Sequence, residues 1–101
     1  MEKVGVVICN YNKENDVLIS IQSVLESTYQ DLHIYVVDNA STDASAAKIR
    51  GKYAKETRLT LICNDENLGG SGGFNTGLYQ AVWFFPELER LLCGFCLSEP
   101  V

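Results

Sequence analysis

Apolar runs alternate with polar turns and helical stripes along most of this chain. Val4-Gly5-Val6-Val7-Ile8-Cys9 is continuously apolar, as expected of a strand buried on both faces. Asn10-Tyr11-Asn12 interrupts it, with Asn12 in an N-cap position. Val17, Leu18, Ile21, Val24 and Leu25 then share one face of a helix over about residues 13–27. The unit repeats. His33-Ile34-Tyr35-Val36-Val37-Asp38 predicts a second strand, Ser41 or Thr42 caps a helix over about 43–56, and Arg58-Leu59-Thr60-Leu61-Ile62-Cys63 predicts a third strand. Beyond Asn64-Asp65-Glu66-Asn67-Leu68 and Gly69-Gly70-Ser71-Gly72-Gly73, the residues Phe74, Leu78, Ala81, Val82 and Phe85 keep helical spacing as far as Pro86.

Strands alternating with helices predict an α/β fold, a three-layer Rossmann-like parallel sheet in the order βαβαβα with right-handed crossovers. Every strand of such a sheet ends on the same rim. The loops at Asn10-Tyr11-Asn12, Asp38-Asn39 and Asn67–Gly73 should therefore converge there. Residues 1–85 form this unit. In the tail, 86–101, Pro86-Glu87-Leu88-Glu89-Arg90-Leu91-Leu92 predicts a short helix with proline at its first position, and the remainder is expected to be irregular. Three βα units make only half of a typical nucleotide-binding sheet, so the chain is expected to be truncated relative to its parent.

Composition narrows the classes. The chain has 101 residues, 47% of them hydrophobic, enough for one modest core. Its net charge of −5 argues against a nucleic-acid partner, which wants a basic stripe. The basic residues that cluster (Lys48, Arg50, Lys52, Lys55 and Arg58) read as a solvated helix face. No apolar run approaches the ~20 residues that span a bilayer, and no leader opens the chain, so a soluble, cytoplasmic protein is expected. Cys9 and Cys63 end apolar strands, as small hydrophobes do. Cys93-Gly94-Phe95-Cys96 has the spacing of a metal or redox pair, but it has no second pair beside it and His33 is the only histidine. Structural thiols are the expected reading.

Three segments could carry chemistry. In Val36-Val37-Asp38-Asn39-Ala40-Ser41-Thr42-Asp43 a buried strand ends on an acid, an acceptor-only group suited to ribose hydroxyls or a base N–H. Ligands of open α/β sheets bind at such strand ends. Asp38 and Asn39 could instead only shape a turn, and Asp43 is best read as favouring a helix N-terminus. Tyr11 offers a ring to cover a base or to pack on its neighbours. The glycines at 69, 70, 72 and 73 would let backbone N–H groups approach a diphosphate at a helix N-terminus, the alternative being a tight strand-to-helix turn. Two better-known glycine motifs fail. A P-loop needs Lys after its last glycine, but Gly77 is followed by Leu78. A dinucleotide fingerprint needs Gly or Ala where Asn75 stands, and it should follow the first strand.

Taken together, Val7-Ile8-Cys9-Asn10-Tyr11-Asn12, then Val36 to Asp43, then Asn67-Leu68-Gly69-Gly70 with Asn75 and Gly77 resemble family 2 glycosyltransferases of GT-A fold, over about residues 3–82. The Gly69–Phe74 run is weakly similar to galactofuranosyl- and rhamnosyltransferase-like members. The resemblance implies a nucleoside-diphosphate-sugar donor, UDP-type, and a glycan or lipid-linked acceptor, in cell-surface polysaccharide synthesis. It implies that Asn10, Tyr11 and Asn12 line the base pocket. Asp38 would bond the base or ribose, supported by Asn39 and Ser41. Asn67, Gly69, Gly70, Gly72 and Asn75 would lie by the diphosphate. Mg²⁺ or Mn²⁺ is implied for the full-length enzyme. The family's Asp-x-Asp does not occur after Gly77, and Glu87-Leu88-Glu89 reads as a helix face. No catalytic residue and no metal ligand is therefore assigned here, and the chain alone is expected to be inactive. An exposed apolar sheet edge would allow a homodimer, and the parent could sit at the inner membrane face. The rival readings are another nucleotide-binding α/β enzyme, such as an oxidoreductase, and a non-catalytic interaction module.

Overall fold

The computed structural model describes residues 3–69, then Gly72, Gly73, Asn75, Thr76, Gly77 and Tyr79, and the backbone over 90–97. Strand β1 (Val4–Asn10) is followed by helix α1 (Glu14–Leu25), β2 (Leu32–Asp38), α2 (Ser45–Lys52), β3 (Leu59–Cys63) and β4 (Arg90–Leu97). Residues 72, 73, 75–77 and 79, between β3 and β4, are helical. All four strands are parallel, in the order β3-β2-β1-β4. The predicted parallel α/β architecture is present.

The register brings the strand ends level. Asn10 pairs with Asp38, and Asp38 with Cys63, so the last residues of β1, β2 and β3 share one rim. On the other side of β1, Asn10 pairs with Leu97 of β4.

The pleat divides the strands between two apolar layers. Val6, Ile8, Ile34 and Val36 pack with Val17, Ile21 and Leu25 of α1 and with Ile49 and Tyr53 at α2. This is the stripe that the helical spacing predicts. Val7, Cys9, Tyr35 and Val37 face the opposite layer, with Ile62 against them. An added Cβ on Gly77 would lie 2.5 Å from Val7 Cγ1, and one on Gly73 would lie 3.1 Å from Cys9 Sγ. These two glycines, four residues apart on one helix face, let the helical segment lie directly on β1.

Several expectations change. The sequence predicts the glycines in a loop before a helix, but Gly72 and Gly73 are inside the helix. The closeness of Gly73 to Cys9 and Asn39, and of Gly72 to the Leu68 side chain, explains why small residues stand there. The sequence predicts a short helix and then an irregular tail, whereas Arg90–Leu97 is a strand. Leu91-Leu92-Cys93-Gly94-Phe95-Cys96-Leu97 is nearly continuously apolar, the pattern of a buried parallel strand, whereas Pro86 ahead of it is a signal for a helix start. Residues 86–89, 98–101 and Gly70, with the side chains of Cys93 and Cys96, lie outside the described residues. Cys9 is buried, but Cys63 is exposed, with Arg50 Nη2 at 3.3 Å from its sulfur. It stands at the end of a strand whose residues are only half-buried.

Two glycines on different helices should respond oppositely to alanine. Gly77→Ala must displace Val7 and is expected to lower unfolding stability by about 1–3 kcal/mol in urea titrations. Gly51 of α2 has open space around it, so Gly51→Ala is expected to raise stability by about 0.5–1 kcal/mol through helix propensity.

Candidate functional site

The rim is held together by a buried carboxylate. Asp38, at the end of β2, is 3% exposed, and Asn10 beside it is 1% exposed. A charge at such a position is tolerable only when hydrogen-bonded. Asn10 Nδ2 donates to Asp38 Oδ1 at 2.9 Å, Ser41 Oγ donates to the same oxygen at 2.7 Å, and Ser41 N donates to Oδ2 at 3.0 Å. Asn10 Nδ2 also reaches Ser41 Oγ at 3.3 Å. To return Ser41 to Asp38 the chain passes through Ala40 at φ 61. That left-handed conformation is costly for a residue with a Cβ, and the bonds to Asp38 offset it.

The first loop is stitched to the second. Asn12 adopts φ 54, and its Oδ1 accepts from Thr42 N at 2.7 Å and Asp43 N at 3.2 Å. Its own N–H donates to Ser41 Oγ at 3.0 Å. The expected N-cap role is therefore corrected. Lys13 holds that position and its side chain makes no capping hydrogen bond, while Asn12 instead terminates the neighbouring loop. Nor does Ser41 or Thr42 cap the second helix, which starts at Ser45 after Ala44. Asp43 serves both helix starts, accepting from Ser45 N and Oγ through Oδ1 and from Glu14 N through Oδ2 at 3.3 Å. Burial alone would raise the Asp43 pKa, but the bonds from Ser45 and Glu14 outweigh it and hold the carboxyl below its ordinary 3.8.

The third loop joins through Asn39. This residue is 2% exposed; its Nδ2 donates to the Gly69 carbonyl at 3.0 Å, and its Oδ1 accepts from Asn64 Nδ2 at 2.8 Å. Asn67 Oδ1 accepts from Gly69 N at 2.8 Å, and Gly69 takes φ 75. The predicted convergence of the three loops is present, made by side chains rather than by proximity alone. Tyr11, Asn12 and Ser41 are half-buried, and Asn67 and Gly69 are exposed. Gly72 and Asn75 line an open cleft of about 550 Å³ with Leu68, Thr76 and Tyr79. A second cleft, of about 510 Å³, opens beside the rim between Asn12, Lys13, Glu14, Thr42 and Asp43. Sequence reasoning missed Asn64 and the bridging role of Asp43, although both are polar residues next to strand or helix ends. His33 contacts Thr60 Oγ1 at 2.7 Å through Nε2, at the start of β2 and away from this rim.

Comparison with known proteins gives one consistent picture. The family model described as Glycosyl transferase family 2 matches residues 5–82. An uncharacterized glycosyltransferase of Haemophilus influenzae is 35% identical over 75 residues, covering 74% of this chain and 23% of that protein. A UDP-Glc:α-D-GlcNAc-diphosphoundecaprenol β-1,3-glucosyltransferase of Escherichia coli, WfgD, is 32% identical over 78 residues, or 77% of this chain and 30% of that one. Among solved structures, the mannosyltransferase PcManGT of Pyrobaculum calidifontis, in complex with GDP-Man and Mn²⁺, superposes with a TM-score of 0.72 at 29% identity. The overlap covers 78% of this chain and 24% of that one. The chain thus spans between about a quarter and a third of these relatives' lengths.

The lowered Asp43 pKa fixes a sign for pH dependence. Its stabilising contribution is full above the ordinary carboxylate value and is lost as pH falls through the lowered one. Glu56, held low by the Arg58 N–H and side chain, acts in the same direction. Thermal midpoints measured between neutral and acid pH should fall on the acid side. Asp43→Asn should flatten that fall and leave the part due to Glu56.

Proposed function

This chain belongs to glycosyl transferase family 2, and from that premise we propose that it forms the donor-nucleotide part of a sugar transferase. In the whole protein an acceptor hydroxyl would attack the anomeric carbon of a nucleoside-diphosphate sugar. The bond from that carbon to the diphosphate oxygen would break, the nucleoside diphosphate would leave, and the hydroxyl proton would pass to a base outside the described residues. The acceptor would be a glycan or lipid-linked sugar, a reading supported by the diphosphoundecaprenol-linked acceptor in the name of the Escherichia coli relative, with surface-polysaccharide synthesis at the inner membrane face as the proposed setting. Among the described residues no helix is long and apolar enough to cross a membrane.

The observation that carries the reading is the joined rim of three βα loops, with Asp38 at its centre. The Asn10-Tyr11-Asn12 segment and Asp38-Asn39-Ala40-Ser41 form two of its walls and would take the base and ribose of a UDP-type donor. The segment from Asn67 through Gly69, Gly72 and Asn75 lies where the third loop enters its helix and would take the diphosphate. Gly70 belongs to that proposed segment but lies outside the described residues. Among the described residues no three His, Cys, Asp or Glu side chains gather as ligands for the divalent metal that the family implies.

Calorimetric titration of the folded chain with UDP, GDP and dTDP, with and without Mn²⁺, tests the reading. At least one nucleotide should bind, and Asp38→Ala, checked for folding by circular dichroism, should lose that binding. If a folded sample binds none of them at millimolar concentration, the proposal fails.

A further inference from the structure

The third loop is held from outside itself. Glycine loses more conformational freedom on ordering than any other residue, and Gly69-Gly70-Ser71-Gly72-Gly73 carries four. Gly69 is exposed, takes φ 75, and an added Cβ there would meet nothing within 4 Å, so packing does not fix it. Its N–H goes to Asn67 Oδ1, within the same loop. Its carbonyl is held by the second loop, where Asn39 Nδ2 donates to it at 3.0 Å. A backbone carbonyl only accepts, so the Asn39 atom facing it must be the amide nitrogen, and the orientation of this side chain is determined.

Asn39 is braced as a rigid donor. It is buried, its backbone N–H donates to the Asn10 carbonyl at 2.9 Å, and its Oδ1 accepts from Asn64 Nδ2 at 2.8 Å. Asn64 is anchored in turn, its own N–H donating to the Asp38 carbonyl at 2.9 Å. The two asparagines thus connect the ends of β1 and β2 and the exit of β3 to the Gly69 carbonyl. Asn39 also stands against the helical segment, since a Cβ on Gly73 would come within 2.7 Å of Nδ2. One buried amide therefore meets the glycine-rich segment at two points, residues 69 and 73.

A ligand that binds an already ordered loop does not pay the entropy of ordering it. We infer that Asn39, braced by Asn64, is a positioning residue for the donor diphosphate. It preorders the glycine-rich segment, so its loss lowers affinity for nucleoside diphosphates and spares affinity for the bare nucleosides. The inference rests on the nucleotide reading above. It assigns the Asn39 side chain to the third loop instead of the base and ribose wall to which its backbone belongs.

Asn39→Asp removes the donor and little else, because a carboxylate has the size of the amide and still accepts from Asn64. NMR titrations of the full chain with UDP against uridine, and GDP against guanosine, with Mg²⁺ throughout, read the affinity that the diphosphate adds. In whichever pair binds, Asn39→Asp at about pH 8 should lower that gain about tenfold and leave nucleoside affinity unchanged. Burial raises the pKa of the introduced carboxyl, which once protonated can donate to the Gly69 carbonyl again. The variant's diphosphate affinity, divided by that of the wild type at the same pH, should therefore recover as pH falls from about 8 to about 5. That ratio cancels the titration of the ligand, and a role confined to folding would not give a reversible loss specific to diphosphates. Should Asn39→Asp fail to fold, Asn64→Ala frees the same amide from its brace at a half-buried position and should lower the diphosphate gain a few fold. Equal losses for nucleoside and diphosphate, no loss, or a loss in Asn39→Asp that does not reverse with pH would overturn the inference and leave nucleotide binding standing. Nucleoside binding with no gain from the diphosphate in the wild type would do the same. Absence of binding by any nucleoside or nucleotide would remove the proposed function and this inference together.

Discussion

The rest of the rim depends on a carboxylate placed where water scarcely reaches. Asp38 ends a strand whose residues are all buried, so its charge must be met by protein donors. Those donors come from the neighbouring strand, through Asn10, and from its own loop, through Ser41. Satisfying one charge therefore dictates the path of a loop, including the left-handed Ala40 that brings Ser41 back. A hydrogen bond to a charged group contributes about 1.5–3 kcal/mol, enough to hold a backbone conformation costing roughly 1–2 kcal/mol.

From that centre the order spreads outward. Ser41 Oγ, already committed to Asp38, also receives the N–H of Asn12, and Asn12 returns the favour by accepting two N–H groups of the second loop. Asp43 then joins the starts of α1 and α2, which the Lys48–Glu14 ion pair at 3.1 Å also links. That ion pair is partly exposed and contributes little, whereas the bonds to backbone N–H groups meet donors that the helix ends leave unpaired. The two loops behave as one unit because each supplies what the other's backbone lacks.

How much of this was legible beforehand depends on the kind of signal. The strands and the first helix follow from apolar periodicity, a local property, and the core contains Val17, Ile21 and Leu25 as the spacing requires. The convergence at one rim follows from topology. The partners of Asn12 do not follow from either. Asn12 precedes a helix, and local logic makes it a cap, yet its carbonyl oxygen serves amides thirty or so residues away. Side-chain bonds of long sequence separation leave no periodic trace. The same limit hid the pairing of Arg90–Leu97, whose apolar run fits a strand once β1 offers it a flank. It also hid the exposure of Cys63, which depends on its strand having only one described neighbour, β2.

The glycine-rich segment shows how one composition can serve two ends. Glycines before a helix suggest room for an anion, and glycines within a helix suggest close packing. Here Gly73 and Gly77 face β1, where Cys9 and Val7 leave no space for a side chain, while Gly72 and Asn75 face an open cleft. Close approach on one face brings the start of that helix near the end of β1, since Gly73 lies beside both Cys9 and Asn39. Asn39 closes the arrangement by holding the Gly69 carbonyl. The packing glycines thus set where the third loop meets the other two.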